Sequence, residues 1–158
     1  MIKLLGFLFT FVSIYAQESV FNLPDHQSRF LHQLGHSLKV SSKILILTPS
    51  LHHAALKKEL LSATKQESVL KLIVQDPSGD PLSLIQYKNI YLYLSSQPIK
   101  QSIILIDESL VCSADEAIDE ELFSSGRSSI RCSDNQQKIR AIRASLYPVI
   151  QHAKRYLE

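Results

Sequence analysis

A chain of 158 residues, 45% hydrophobic and 20% charged, is long enough for one domain with a real core and too short for two ordinary ones. That composition excludes a disordered chain, and a formal net charge of +2 argues neither for nor against nucleic acid, because phosphate binding depends on a local patch. The two cysteines, Cys112 and Cys132, fit either a disulfide or a pair of small buried apolar residues.

The first residues carry the most specific compositional signal. Met1-Ile-Lys3 is a short positive region, Leu4 to Ile14 is apolar, and Tyr15-Ala16 precedes the polar Gln17-Glu18. The pattern predicts a signal peptide over residues 1–16, too short to span a bilayer, and a mature domain over 17–158. The mature protein is then expected to be periplasmic or secreted, with no membrane association after cleavage.

Val20 to Leu23 is a short strand candidate ended by Pro24. Asp25 is the expected cap of a helix reaching about Leu38, with Phe30, Leu31, Leu34 and Leu38 on one apolar stripe. Lys43 to Leu47 is a buried strand broken by Thr48-Pro49-Ser50, and a helix is expected from about Leu51 to Lys65. Leu70 to Val74 is the next strand. The Pro and Gly content of 76–81 marks a loop, and Leu82 to Tyr87 allows at most two helical turns. Ile90 to Leu94 is a further strand.

Two apolar runs, Ile103 to Ile106 and Leu110 to Cys112, flank the polar turn Asp107-Glu108-Ser109. Such a hairpin needs cover on both faces and so belongs in the middle of a sheet. Beyond it, Glu116 to Phe123 predicts a short helix and Ser128 to Cys132 a strand. Asp134 is the expected cap of a last helix packed through Leu146, Val149, Ile150, Ala153 and Leu157, with Pro148 as a kink. Strands alternate with helices, which predicts an α/β fold, a mixed β-sheet flanked by helices on both faces.

In this order the chain resembles the phospholipase D superfamily, and within it the small exported endonucleases that carry one catalytic motif per chain. The resemblance spans the mature part. It rests on Phe21-Asn-Leu-Pro24, on Ile44 to Thr48 followed by a helix, on Leu70 to Asp76, and above all on Ile103-Ile-Leu-Ile-Asp107 followed by Leu110-Val-Cys-Ser-Ala-Asp115. The family motif is His-x-Lys-x4-Asp, followed after a hairpin by Gly-Ser-x-Asn. Asp107 matches its aspartate and Ser113 its serine; Lys100 stands at the histidine, Ser102 at the lysine, Cys112 at the glycine and Asp115 at the asparagine.

The resemblance implies a histidine attacking phosphorus and a second histidine, from a partner motif, protonating the leaving oxygen. A histidine suits both tasks because its pKa lies near neutrality. A lysine, with its ordinary pKa far above neutrality, is a poor substitute for the attacking histidine, and Ser102 has no base in its motif. Asp115 adds a negative charge where phosphate should sit. The expectation is a degenerate, non-catalytic member acting by partner binding, as a homodimer or as a heterodimer with a related protein.

An active phosphodiesterase would need substitutes, and His52 and His53, after the strand ending at Thr48, are the candidates. His32 and His36 share the i, i+4 spacing of metal ligands but have no third ligand nearby, so neither a metal nor a cofactor is expected. Lys138, Arg140, Arg143, Lys154 and Arg155 make the last helix basic, which reads as a solvated face or, more weakly, as a nucleic-acid footprint. The resemblance also sets Cys112 and Cys132 at opposite ends of their strands, too far apart for a disulfide.

Overall fold

The computed structural model describes residues 18–157; the expected signal peptide lies outside them. Ten strands and five helices follow one another as β1 (Glu18–Asn22), α1 (Gln27–Lys39), β2 (Lys43–Thr48), β3 (Leu51–His52), α2 (Ala54–Lys65), β4 (Val69–Val74), α3 (Asp80–Leu84) and β5 (Ile90–Leu94). The second half comprises β6 (Ser102–Ile106), β7 (Leu110–Ala114), β8 (Ile118–Asp119), α4 (Glu120–Ser124), β9 (Ser129–Ser133), α5 (Gln136–His152) and β10 (Lys154–Arg155).

Eight strands form one mixed sheet in the order β1-β9-β7-β6-β2-β4-β5-β10. Strands β2, β4 and β5 are parallel, and every other neighbouring pair is antiparallel. The β6–β7 hairpin is interior, as its unbroken apolar runs require. All five residues of β6 are buried, with Ile104 and Ile106 on one face and Ile103 and Leu105 on the other.

The first face carries the larger core. Phe30, Leu34 and Leu38 of α1, Leu56 and Leu60 of α2, and Leu122 and Phe123 of α4 close over Ile44, Ile46, Leu70, Leu72 and Ile104. Phe30 lies between Phe21 and Phe123, with ring centroids 5.5 and 6.0 Å away. Each fully buried Leu or Phe contributes about 1.5–3 kcal/mol of transfer free energy. On the opposite face α5 covers Leu47, Ile73, Ile103, Leu105 and Val111 through Ile139 and Leu146, with Ile99 beside them.

Several boundaries differ from the sequence expectation. His26, not Asp25, precedes α1, and its Nδ1 accepts a hydrogen bond from the Asn22 backbone N–H at 3.1 Å. The helix expected from Leu51 begins only at Ala54, and the one expected from Glu116 begins only at Glu120. In both places two residues pair instead into a separate parallel ribbon, β3–β8, with Leu51 opposite Ile118 and His52 opposite Asp119. Asn135, not Asp134, caps α5 by accepting from Lys138 N–H at 3.0 Å. That helix ends at His152, so Leu157 is exposed.

The two cysteines are directly bonded, which overturns the separation the resemblance implied. The register of β9 on β7 sets Cys132 opposite Cys112, with Cα atoms 4.0 Å apart. Strand β9 is displaced along its neighbour, so a residue near its far end meets the middle of β7. No free cysteine remains.

Candidate functional site

The strand directions decide which residues share an end of the sheet. The C-terminal ends of β1, β2, β4, β5 and β7 and the N-terminal ends of β6, β9 and β10 lie together. Lys100, Ser102 and Asp115 therefore meet at one end, which is where the crevice of an α/β sheet lies. Asp107 is at the other end, five residues beyond Ser102, or roughly 17 Å along an extended strand.

Asp107 holds the turn. Its carboxylate accepts from the backbone N–H of Lys43 at 2.8 Å and of Ser42 at 3.1 Å, its own N–H donates to Lys43 O, and its carbonyl accepts from Arg143 at 2.8 Å. Its φ of 49° is a conformation that aspartate tolerates better than most residues.

Ser102 is 1% exposed. Its Oγ donates to Glu116 O at 2.6 Å and lies 2.8 Å from Thr48 Oγ1. Thr48 in turn donates to Ser50 O at 2.8 Å and accepts from Ile118 N–H at 3.1 Å. The hydroxyl pair thus ties β6 and β2 to the residues leading into β3 and β8, and the β3–β8 ribbon covers this end. The space lined by Ser102, Ser113, Ala114, Phe30 and Phe123 is about 10 Å³, room for a single water at most. Lys100 and Asp115 are exposed, and Ser113 is half-buried in register with Ile103 and Arg131.

The two histidines proposed as substitutes have different fates. His53 is 2% exposed and is the N-cap of α2, its Nδ1 accepting from Leu56 N–H at 3.1 Å. Its ring stacks on Phe123 at 4.0 Å, and its Nε2 lies 3.8 Å from Glu120 Oε2. Burial holds its pKa below the usual histidine value against the opposing pull of Glu120 and Asp80, with His52 adding to the depression. The ring is thus engaged within the fold by its burial, its cap bond and its stack on Phe123. His52 is exposed, with Nδ1 4.0 Å from Asp80 Oδ1, and Lys57 Nζ is 3.9 Å from the same oxygen. These groups line an open groove of about 530 Å³ with Lys58, Lys65 and Glu120.

The first turn of α2 already has carboxylate partners, since Asp80 Oδ2 accepts from His53 N–H at 2.7 Å and Glu120 Oε1 from Ala54 N–H at 3.2 Å. Gly79, at φ 83°, brings this loop against β3: a Cβ there would lie 3.3 Å from both Leu51 O and His52 Nδ1. Asp80, Glu120 and Thr48 carry no motif signal, and Thr48-Pro49-Ser50 reads in the sequence only as a strand break.

The basic residues of α5 do not form a patch beside this end. Arg143 is 3.6 Å from Glu108, at the Asp107 turn, and Lys138 pairs with Glu18 at 2.8 Å. Lys154 and Arg155 fall on β10 at the outer edge, where Arg155 lies over the Tyr91 ring at 5.1 Å. His32 and His36 are exposed on α1, and among the described residues no group of three His, Cys, Asp or Glu could hold a metal ion.

The sheet order and its central hairpin are shared, as a fold, with solved structures of low sequence identity. No family model matches the sequence, and neither does any curated protein. Among solved structures, NucT from Helicobacter pylori is similar at a TM-score of 0.79 and 15% identity, over 90% of this chain and 100% of that one. Nuc from Salmonella typhimurium, a phospholipase D family member, gives 0.74 and 14%, over 91% and 100%. Phosphatidylserine synthase from Haemophilus influenzae gives 0.65 and 13%, over 92% of this chain and 41% of that one.

Proposed function

We propose that this is an exported phospholipase D-like domain whose motif is degenerate and which acts by binding a partner, a second copy of itself or a related chain, and not by catalysis. The observation that carries the reading is Ser102. At the place the resemblance gives the motif's lysine stands a buried hydroxyl, within hydrogen-bond distance of Glu116 O and Thr48 Oγ1, in a space with room for one water at most. The hydrogen-bond contacts of this hydroxyl among the described residues are Glu116 O and Thr48 Oγ1, and neither is a histidine. The Cys112–Cys132 disulfide suits a protein that works in an oxidising compartment. Among the described residues no helix is long and apolar enough to cross a membrane.

The test is hydrolysis of single- and double-stranded DNA and of bis(p-nitrophenyl) phosphate, with and without EDTA, together with light scattering over a range of protein concentrations. No turnover above buffer, with self-association or capture of a related chain, supports the proposal; EDTA-resistant turnover overturns it.

A second reading is supported by the groove at His52. There an exposed imidazole stands beside Asp80 and Lys57, groups that can hold and protonate a phosphodiester. It predicts turnover that is lost in His52→Ala. The third reading, a nucleic-acid binding module, is weakened by the pairing of Lys138 and Arg143 with Glu18 and Glu108.

A further inference from the structure

We propose that His53 is an acid-operated latch: while neutral it holds the β3–β8 ribbon over the Ser102 end of the sheet, and when protonated it lets that ribbon open. The proposal does not depend on whether the site is catalytic.

The latch is built from bonds the ring can make in only one protonation state. To accept from Leu56 N–H, Nδ1 must carry a lone pair, so the proton of the neutral ring sits on Nε2. Nε2 faces Glu120 Oε2 at 3.8 Å, and the Gln27 side-chain amide stands 3.5 Å away, its oxygen the acceptor for this tautomer once the amide is turned over. A second proton must go on Nδ1. It replaces the cap acceptor with a donor and sets two N–H groups against each other at the first turn of α2. The same proton makes the ring a cation, and Glu120, whose side chain is 59% exposed, is free to move toward it. Glu120 also accepts from Ala54 N–H, so that movement takes a second partner from the same turn.

The ribbon is placed to respond. Strand β3 ends one residue before His53, and β8 ends at Asp119, one residue before Glu120. Both strands are thus tied at the same point, by the His53 cap on one side and by Glu120 with the Phe123 stack on the other. Only two residue pairs join them, which makes the ribbon weak by itself. The Thr48 hydroxyl holds Ile118 N–H at its far side.

The charged groups around the ring are Asp80 from the α3 side, Glu120 from α4 and His52 from β3, with Lys57 of α2 reaching Asp80; α1 contributes only the neutral Gln27. Because burial is the largest influence and disfavours the charged ring, the folded-state pKa lies below the ordinary histidine value of 6.5. The closed form is therefore complete above that value, and it is lost as pH falls toward the depressed pKa.

Amide hydrogen exchange of the protein between about pH 7.5 and pH 5, corrected for intrinsic rates, tests this. Protection at Leu56 and Ile118 is expected to fall about tenfold, while Leu72 and Ile104 in the central strands hold theirs. His53→Asn keeps a cap acceptor without a titrating ring and should flatten the profile. Glu120→Gln, at an exposed position, should move the fall to lower pH. A flat wild-type profile, a parallel loss at Leu72 and Ile104, an unchanged fall in His53→Asn, or an unmoved midpoint in Glu120→Gln would each overturn the proposal.

Discussion

The hydroxyl oxygens of Ser102 and Thr48 lie 2.8 Å apart in the core, where β6 and β2 reach the same end of the sheet. Each hydroxyl has one proton. With Glu116 O and Ser50 O also within hydrogen-bond distance, two protons serve three contacts, while Thr48 accepts from Ile118 N–H. The pair lies beside a space of about 10 Å³ at this end of the sheet.

Removing this pair should cost stability. Ser102→Ala leaves the Glu116 carbonyl without its hydroxyl donor, an expected loss of about 1–3 kcal/mol in urea unfolding. Ser102→Lys, which restores the motif's lysine, buries an ammonium without a partner and should cost more, about 3–5 kcal/mol, without creating phosphodiester hydrolysis. A stable Ser102→Lys protein that hydrolyses phosphodiesters would show the crevice to be functional after all.

The disulfide is a second measurable element. The unfolded, unreduced protein should show no free thiol. The double change Cys112→Ala and Cys132→Ala opens a link across 20 residues, and should lower the unfolding free energy by about 3 kcal/mol. Equal midpoints with and without reductant would contradict this.

Asp107, which the resemblance sets at the motif's aspartate, holds a turn in the structure. Asp107→Ala leaves the Ser42 and Lys43 N–H groups without a side-chain acceptor and puts a Cβ residue with no compensating oxygen at φ 49°; the expected cost is about 1–3 kcal/mol. Asp107→Asn keeps an acceptor and tolerates the same φ, so it should cost less. The ranking, read from denaturant midpoints, should hold whether or not any hydrolysis is detected.

Charge reversal on α5 separates the binding readings. Arg140→Glu with Arg143→Glu should leave DNA retention unchanged between about 50 and 200 mM salt, since Arg143 already pairs with Glu108 and sits at the Asp107 end. A steep salt dependence that disappears in the variant would favour the nucleic-acid reading.

The sequence by itself determined the long apolar strands and the three longer helices, because apolar periodicity is a local property. The run Ile103 to Ile106 needed cover on both faces and lies inside the sheet, and Ile90 to Leu94 is β5 to the residue. The resemblance set Lys100, Ser102 and Asp115 at the motif's reactive positions as an expectation. Only the tertiary structure decided what those residues do. The Cys112–Cys132 bond depends on the stagger of β9 against β7, which is set by the whole sheet and by no residue near either cysteine. The burial of His53 depends on Phe123 and Glu120, about seventy residues away. The β3–β8 ribbon is two residues on each side, too short for any periodicity, and it exists because the chain ends leaving β2 and β7 emerge at the same edge and satisfy each other's backbone groups.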